Sequence, residues 1–266
     1  MTITTGDATD ATAKMPVLFV GHGNPLNAVE DNAFSRSWKA IAGRLPRPQA
    51  ILVVSAHWET EGTRITAMAD PSTIHDFYGF PQVLYEKNYP APGDPHLARR
   101  IKAGITDPPI QLDSDWGLDH GAWSVLCRMF PAADIPVVQL SLDAALPPDA
   151  HYRLGRQLAP LRRQGVLVVG SGNMVHNLGV MTWRDEAFDW ALAADEAMKS
   201  LIVAGDHPAL INYPKAGMHA SLAIPTREHY LPLLYILAMQ EGTDSLSFFC
   251  EAVTLGSISM RSLLLG

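Results

Sequence analysis

The sequence predicts an α/β fold: a single domain with a central mixed, mostly parallel β-sheet flanked by helices. Short runs of β-branched and other apolar residues alternate with longer stretches of helical periodicity. Four of the short runs are apolar almost throughout, which is typical of strands covered on both faces. We expect residues 1–14 to form a disordered tail. Because no repeat, low-complexity tract or linker follows this tail, we expect residues 15–266 to form one domain.

The individual elements follow this alternation along the chain. The predicted strands are "PVLFV" (16–20), "AILVVSA" (50–56), "RITAMA" (64–69), "IPVVQLSL" (135–142) and "GVLVVGSG" (165–172). The predicted helices are 33–45, 94–104, 121–130, 149–164, 185–204 and about 227–240. The first helix stops at "PRP", and the helix at 185–204 opens with acidic residues and ends before Gly205.

Two segments depart from the alternation. "SLSFFCEAV" and "SISMRSLL" near the end predict a closing antiparallel hairpin, which makes the sheet mixed. The stretch 70–95 is rich in proline, glycine and aromatic residues. It predicts an ordered loop with a short helix inside, which forms a wall of the functional site.

Composition excludes several classes of partner. The net charge is −7 and the chain has no Lys/Arg run, so we expect neither nucleic acid nor an anionic membrane as a partner. No apolar run approaches the ~18 residues of a membrane span, and the first fourteen residues lack the pattern of a secretion signal. Cys127 and Cys250 each lie in an apolar stretch, which predicts reduced thiols and a cytoplasmic protein.

Three histidines follow three separate buried strands. His22 comes directly after the first predicted strand, in "GHGNP"; His57 follows the second in "SAHWE"; and His176 lies a few residues beyond "VLVVGSG". Ligands of buried-strand α/β proteins bind beyond the carboxyl ends of the strands. These three side chains are therefore expected to converge on one site.

Two more histidines can reach the same place. His120 lies in "GLDHGAW" before a predicted helix, and His229 lies in the first turn of the helix that "PTREHYLPLLYIL" predicts. Five clustered imidazoles suit a divalent transition metal such as Zn, Fe, Cu or Ni. Glu59, two residues after His57, is either a carboxylate ligand or a group that orients His57 from outside the ligand set. By contrast, His96, His151 and His207 lie at helix starts and are expected to be solvated.

Other catalytic motifs are missing from the sequence. There is no H-E-x-x-H, C-x-x-C or P-loop pattern. "VVGSGN" is not a nucleophile elbow, because the glycine two residues before Ser171 is absent. The sequence therefore gives no support for a serine hydrolase.

Seven motifs in order resemble the 4,5-DOPA extradiol dioxygenase family, class III extradiol ring-cleaving dioxygenases with the LigB-type fold. They are "GHGNP", "SAHWE", "TIHDFYGFP", "YPAPGDP", "DHGAW", "GSGNMVHN" and "PTREHYLPLLY", and they cover nearly the whole chain after the tail. The resemblance implies a metal held by His22, His57 and His229. It implies that His176 is an acid/base beside the metal, which in zinc-loaded forms can also be a ligand, and that His120 is a catalytic residue lining the substrate pocket.

The resemblance also implies a catechol substrate and O₂. L-DOPA is the family's signature substrate, cleaved at the 4,5 position to seco-DOPA, which cyclises to betalamic acid. Caffeic or protocatechuic acid and 2,3 cleavage remain open alternatives, as does the oligomeric state. Fe(II) is the cofactor expected for activity, and Zn(II) can occupy the site in purified protein. We expect Asn24, His75, Asp76 and Tyr78 to contact the substrate.

Two other functions remain as alternatives. The same histidines could activate water on zinc in a small-molecule hydrolase. The fold could also serve as a non-catalytic metal-binding module, since fold alone does not determine function. A binding module would have no use for His120 and His176 in addition to the metal ligands, so this alternative ranks lowest.

Overall fold

The computed structural model describes residues 14–184, 186–215, 217 and 219–266. The strands are β1 (Val17–Gly21), β2 (Ala50–Thr60), β3 (Arg64–Thr66), β4 (Gln111–Asp113), β5 (Val137–Asp143), β6 (Val166–Gly172), β7 (Leu246–Phe249), β8 (Val253–Thr254), β9 (Ile258–Ser259) and β10 (Ser262–Leu265). Eight of them form one sheet in the order β4-β3-β5-β2-β6-β1-β10-β7. The predicted mixed α/β sheet is confirmed.

The four central strands β5, β2, β6 and β1 run parallel. β3 joins β5 antiparallel on one side, and β10 joins β1 antiparallel on the other. β7 then pairs antiparallel with β10, which confirms the predicted closing hairpin. Because the central strands are parallel, their carboxyl ends lie at one edge of the sheet.

Helices cover both faces of this sheet. They are α1 (Ala33–Ala42), α2 (Gln82–Tyr85), α3 (Pro95–Gly104), α4 (His120–Met129), α5 (Pro148–Leu158), α6 (Asp189–Ala204), α7 (His207–Ile211), α8 (Ala220–Ala223) and α9 (Leu231–Ala238). Alternate residues of β2 point into two separate cores: Leu52 packs with α3, α5, α6 and α9, and Ile51 packs with α1 and α4. A strand buried on both faces needs this continuous apolar pattern.

Helix boundaries differ from expectation where proline intervenes. The predicted helix 149–164 ends at Leu158 and continues as a 3₁₀ turn, Ala159–Gln164. Pro160 lacks the N–H that an α-helix would use at that position. The last predicted helix begins at Leu231 rather than 227, with Pro232 in its first turn, so His229 lies in the preceding turn.

The loop 70–95 contains one short helix, α2, as expected. Residues 1–13 of the expected tail lie outside the described residues, whereas Lys14 is described and its Nζ lies 2.6 Å from Asp244 Oδ1. Asp185, which opened the predicted helix 185–204, also lies outside the described residues. Among those described, no helix is long and apolar enough to cross a membrane.

One histidine expected to be solvated is buried. His151, on α5, is fully inaccessible, and its Nδ1 lies 2.9 Å from the hydroxyl of Tyr235 on α9. The expectation was wrong because α5 packs its His151 side against α9. Cys127 is a buried free thiol and Cys250 a partly buried one, as predicted.

Candidate active site

The predicted histidines lie together at the carboxyl edge of the parallel strands. Gly21 at the end of β1 is in register with Gly172 at the end of β6, so His22 and the segment leading to His176 leave the sheet side by side. The register of β2 with β5 shifts between Val54 and Glu59. This irregularity contains His57, and such bulges commonly re-aim side chains next to active sites.

Glycines permit the close approaches at this edge. Gly23 has a positive φ of 56°, which lets the chain turn directly after His22. At Gly172 a Cβ atom would lie 2.1 Å from the backbone oxygen of His229. The N–H of Asn173 donates to that same oxygen at 2.9 Å. The turn before α9 is thereby held against β6, and His229 enters the site.

The five histidines of the predicted cluster form one group. The Nε2 atoms of His22 and His57 lie 3.1 Å apart, and the ring of His229 lies 5.1 and 5.0 Å from the rings of those two residues. His176 stacks on His229 with 3.4 Å between ring centres, and His120 lies 3.8 Å from His57.

Two neighbouring sets of possible ligand atoms follow from these positions. The nitrogens of His22, His57 and His120 lie within 4.8 Å of one another and could hold a metal. Atoms of His176, Glu228 and His229 form a second set with the same spacing.

The hydrogen bonds fix which nitrogen of His22 carries the proton. Nδ1 of His22 lies 2.9 Å from Ser171 Oγ. The Ser171 hydroxyl donates its one hydrogen to the backbone oxygen of Gly121 at 2.5 Å, so it accepts from His22. His22 is therefore protonated at Nδ1, and its Nε2 presents a lone pair to the cluster.

The same reasoning applies to His229 and His57. Nδ1 of His229 faces Asn173 Oδ1 at 3.3 Å, and the amide nitrogen of Asn173 donates to Ser259 O at 2.7 Å, so Oδ1 is the acceptor. Nδ1 of His57 lies 3.4 Å from the carboxylate of Asp76, which can only accept when ionised. In all three histidines Nε2 is left as the free lone pair.

Burial keeps these imidazoles neutral. Burial, followed by the charges of neighbouring histidines, lowers the pKa of His22 and His229 well below the ordinary value. Burial, followed by His120, lowers the pKa of His57 to about 3 and that of His176 to about 4. At neutral pH the site therefore offers uncharged nitrogen donors, the form that binds metals.

Asp76 is the carboxylate that organises this side of the site. Its Oδ1 accepts from the backbone N–H of His120 at 2.8 Å, and its Oδ2 lies 2.9 Å from His120 Nδ1. Although burial alone would raise the pKa of Asp76, the hydrogen bond from His120 and the nearby His120 and His57 rings hold it below its usual value. Asp76 is thus ionised at neutral pH and can orient both rings.

Two predicted residues are placed differently from expectation. The carboxylate beside His57 is Asp76, whereas the Glu59 side chain is exposed and its pKa is raised by partial burial and by Glu228. His75 does not line the cavity: its Nε2 lies 2.9 Å from the backbone oxygen of Lys87 and its ring packs beside Phe77. Glu59 was predicted because it is close to His57 along the chain. Asp76 lies in the loop 70–95 instead, and its approach to His57 depends on the path of that loop.

A cavity of about 390 Å³ opens above the histidines. Asn24, Asp76 and Tyr78, three of the predicted substrate contacts, line it together with the five histidines. Sequence reasoning missed Ser171 and Asn173, the residues that orient His22 and His229. The available signal was their polarity inside "GSGN", at the end of an otherwise apolar strand.

Known proteins resemble this chain over its full length. A family model described as the catalytic LigB subunit of aromatic ring-opening dioxygenase matches residues 17–257. A protein of Escherichia coli K12 named 4,5-DOPA dioxygenase extradiol is 46% identical over 275 residues, which covers 100% of both chains. A protein of the same name from Beta vulgaris is 41% identical over 224 residues, covering 81% of this chain and 83% of its own.

A solved structure shares the fold. The crystal structure of uncharacterized protein JW3007 from Escherichia coli K12 matches with a TM-score of 0.83 at 43% identity, over 95% of this chain and 100% of that one. The matched family range contains every histidine of the site, from His22 to His229. The chain therefore belongs to the LigB family of aromatic ring-opening dioxygenases and is an extradiol ring-cleaving dioxygenase.

Proposed function

We propose that the protein opens the ring of a 4-substituted catechol, such as L-DOPA, with O₂ at a single Fe(II) held by His22, His57 and His229. The observation that carries this proposal is the shared orientation of the three rings. Each Nδ1 faces a protein oxygen, and each Nε2 is left as a lone pair in a buried site. Fixing the outer nitrogen in this way is how proteins orient metal-binding histidines.

The donor set fits a divalent transition metal. The Nε2 atoms of His22 and His57 lie 3.1 Å apart, and in this tautomer no hydrogen lies between them. Such an approach of two lone pairs is repulsive unless a cation attracts both. Neutral imidazoles suit Fe(II), and Zn(II) can occupy the same ligands. His120 also lies close enough to His22 and His57 to be a ligand, and the family resemblance assigns it to the substrate instead.

Bound Fe(II) would supply the redox centre through which electrons pass from the catechol to O₂. The chain's own task is to bind the catechol and to move its protons. His176 lies at the cavity beside His229, and its lowered pKa, about 4, leaves it neutral at pH 7. A neutral imidazole can take a proton from a catechol hydroxyl and return it as the ring opens.

His120 acts on the other side of the cavity. The ionised Asp76 holds its Nδ1, so Nε2 is free to hydrogen-bond a catechol oxygen. Asn24 and Tyr78 line the same cavity, and we propose that they also contact the substrate.

The test is oxygen uptake by protein reconstituted anaerobically with Fe(II) and then mixed with L-DOPA in air. Uptake of one O₂ per catechol and growth of the yellow absorbance of betalamic acid are expected, because 4,5 cleavage gives seco-DOPA, which cyclises to it. A yellow isomer of betalamic acid, with the amine closed into a seven-membered instead of a six-membered ring, would indicate 2,3 cleavage. Metal-dependent ester hydrolysis without oxygen uptake would support the zinc-hydrolase alternative, against which the family assignment already counts.

A further inference from the structure

Asp119 is a carboxylate that lies fully buried beside the histidine cluster. Its Oδ1 accepts from the Ser55 hydroxyl at 2.7 Å and from the backbone N–H of Ala122 at 3.1 Å. Its Oδ2 accepts from the side-chain amide of Gln139, and from Trp116 Nε1 at 3.4 Å. All four partners are donors, so a side chain at this position needs two acceptor oxygens to satisfy them.

The hydroxyl of Ser55 connects this carboxylate to His57. Ser55 donates its hydrogen to Asp119 and accepts from the backbone N–H of His57 at 3.2 Å. These contacts lie in the irregular part of β2, between Val54 and Glu59, where the pairing with β5 shifts register. They therefore fix the stretch of backbone from which the His57 ring projects.

Asp119 also caps α4, whose first turn reaches two further histidines of the site. As the N-cap residue it fixes the start of the helix, and His120 is the next residue. The backbone oxygen of Gly121 accepts from the Ser171 hydroxyl, which in turn accepts from His22 Nδ1. A displaced first turn would therefore move His120 and release the group that holds His22.

We propose that Asp119 is a positioning residue of the metal site and that it sets the metal affinity of His22 and His57. This inference rests on the proposed ligand set. Asp119 does not line the cavity, so it acts through Ser55 and through Gly121. The packing transmits any shift, because a Cβ at Gly121 would lie 2.4 Å from Ser55 Oγ and 2.9 Å from His57 Cδ2. Groups that orient metal-binding histidines from behind contribute to metal affinity.

The metal affinity of Asp119→Asn tests the proposal. Asparagine has nearly the same shape, but its amide nitrogen would face donors instead of accepting from them. Competition with a chelator gives the Kd of Co(II) for the full-length, metal-free protein, and we expect this Kd to rise by about tenfold or more. The visible absorption of bound Co(II), which reports ligand geometry, is expected to change. A wild-type Kd or a wild-type spectrum would overturn the inference.

Asp244→Asn is the matched control. The Asp244 carboxylate is also fully buried, and Arg162 donates to its two oxygens at 2.7 and 2.8 Å. Arg162 also donates to the backbone oxygen of Met15, just before β1, so this pair lies at the opposite edge of the sheet from the histidines. Breaking it should lower the free energy of unfolding and leave the Co(II) Kd unchanged. Equal weakening of metal binding in both variants would mean that Asp119 acts only through stability, which overturns the inference.

Ser55→Ala tests the connection to His57 and serves if Asp119→Asn does not fold. It removes one hydroxyl, and we expect a higher Co(II) Kd than in the wild type; an unchanged Kd would overturn the inference. None of these measurements requires turnover. A wild-type protein that binds no metal would refute the proposed ligand set and this inference with it. Tight binding by both the wild type and Asp119→Asn would refute this inference alone.

Discussion

Ser171, Asn173 and Asp76 orient the three histidines that we propose as metal ligands. Each of these residues holds one Nδ1 atom, so His22, His57 and His229 cannot rotate their Nε2 lone pairs away from one another without losing a buried contact. Holding the rings in place before the metal arrives reduces the entropy lost when it binds.

At the residue scale we expect alanine at His22, His57 or His229 to remove most of the bound metal. His120→Ala is the matched control and should retain it, although the nitrogen of His120 lies within 4.8 Å of those of His22 and His57. Metal analysis by mass spectrometry after reconstitution gives the result. Full occupancy in His229→Ala together with loss in His120→Ala would make His120 the third ligand.

Substitutions of His176 test whether this residue is a general acid/base or a metal ligand. Replacing it with Ala should leave iron bound and lower kcat by ~10²- to 10⁴-fold, the usual cost of losing a general acid/base. His176→Gln should do no better, because an amide cannot accept the catechol proton at neutral pH. Iron content and single-turnover rates are measured on the same sample. Loss of iron would make His176 a ligand, and unchanged turnover would remove it from the mechanism.

At the scale of elements, β6 and the turn before α9 must pack almost backbone to backbone. Gly172→Ala would place Cβ 2.1 Å from His229 O, which belongs to the backbone and cannot move alone. We expect a loss of ~1–3 kcal/mol in the free energy of unfolding and weaker metal binding, because His229 shifts.

Gly104→Ala is the control for that change, since nothing lies within 4 Å of the position that an added Cβ would take and its φ is not positive. It should be neutral or slightly stabilising. Urea unfolding and metal titration of both variants provide the measurements. Normal metal affinity in Gly172→Ala would show that the contact does not position His229.

At the scale of the whole molecule, buried histidines make the fold sensitive to acid. Burial, followed by the charge of Arg227, lowers the pKa of His151 from 6.5 to about 4. A depressed pKa in the folded state means that the unfolded chain binds the proton first. The stability from His151 is therefore complete above pH 6.5 and is lost as pH falls toward 4, by up to about 3 kcal/mol.

His151→Gln does not titrate, so its stability should fall less than that of the wild type between pH 6.5 and 4. The measurement is urea unfolding at several pH values on metal-free protein, which removes the contribution of metal loss. Parallel pH profiles for the two proteins would show that His151 does not carry the acid sensitivity. At pH 8 the side chain at position 151 is uncharged in both proteins, folded or unfolded. The difference between their free energies of unfolding at that pH therefore reports packing and hydrogen bonding.

The sequence by itself determined the central strands, the parallel core and the histidines at its carboxyl edge, but not the short edge strand β4. Continuous apolar runs and helical periodicity are local patterns, and they predict the strands and helices. Because parallel strands end at one edge of the sheet, the residues that follow them are predicted to share one site. This reasoning correctly brought His22, His57 and His176 together. It misjudged His151, because a helix start is exposed only if no other helix packs on it.

Only the tertiary structure decided what surrounds those histidines. Asp76 reaches His57 from a separate loop, whereas the side chain of Glu59, two residues after His57 on β2, is exposed. The orienting partners Ser171 and Asn173 meet their histidines across 149 and 56 residues of chain. Such pairings depend on the register of neighbouring strands and on loop paths. Neither leaves a periodic signal, so the sequence could predict the histidine cluster but not its supporting hydrogen bonds.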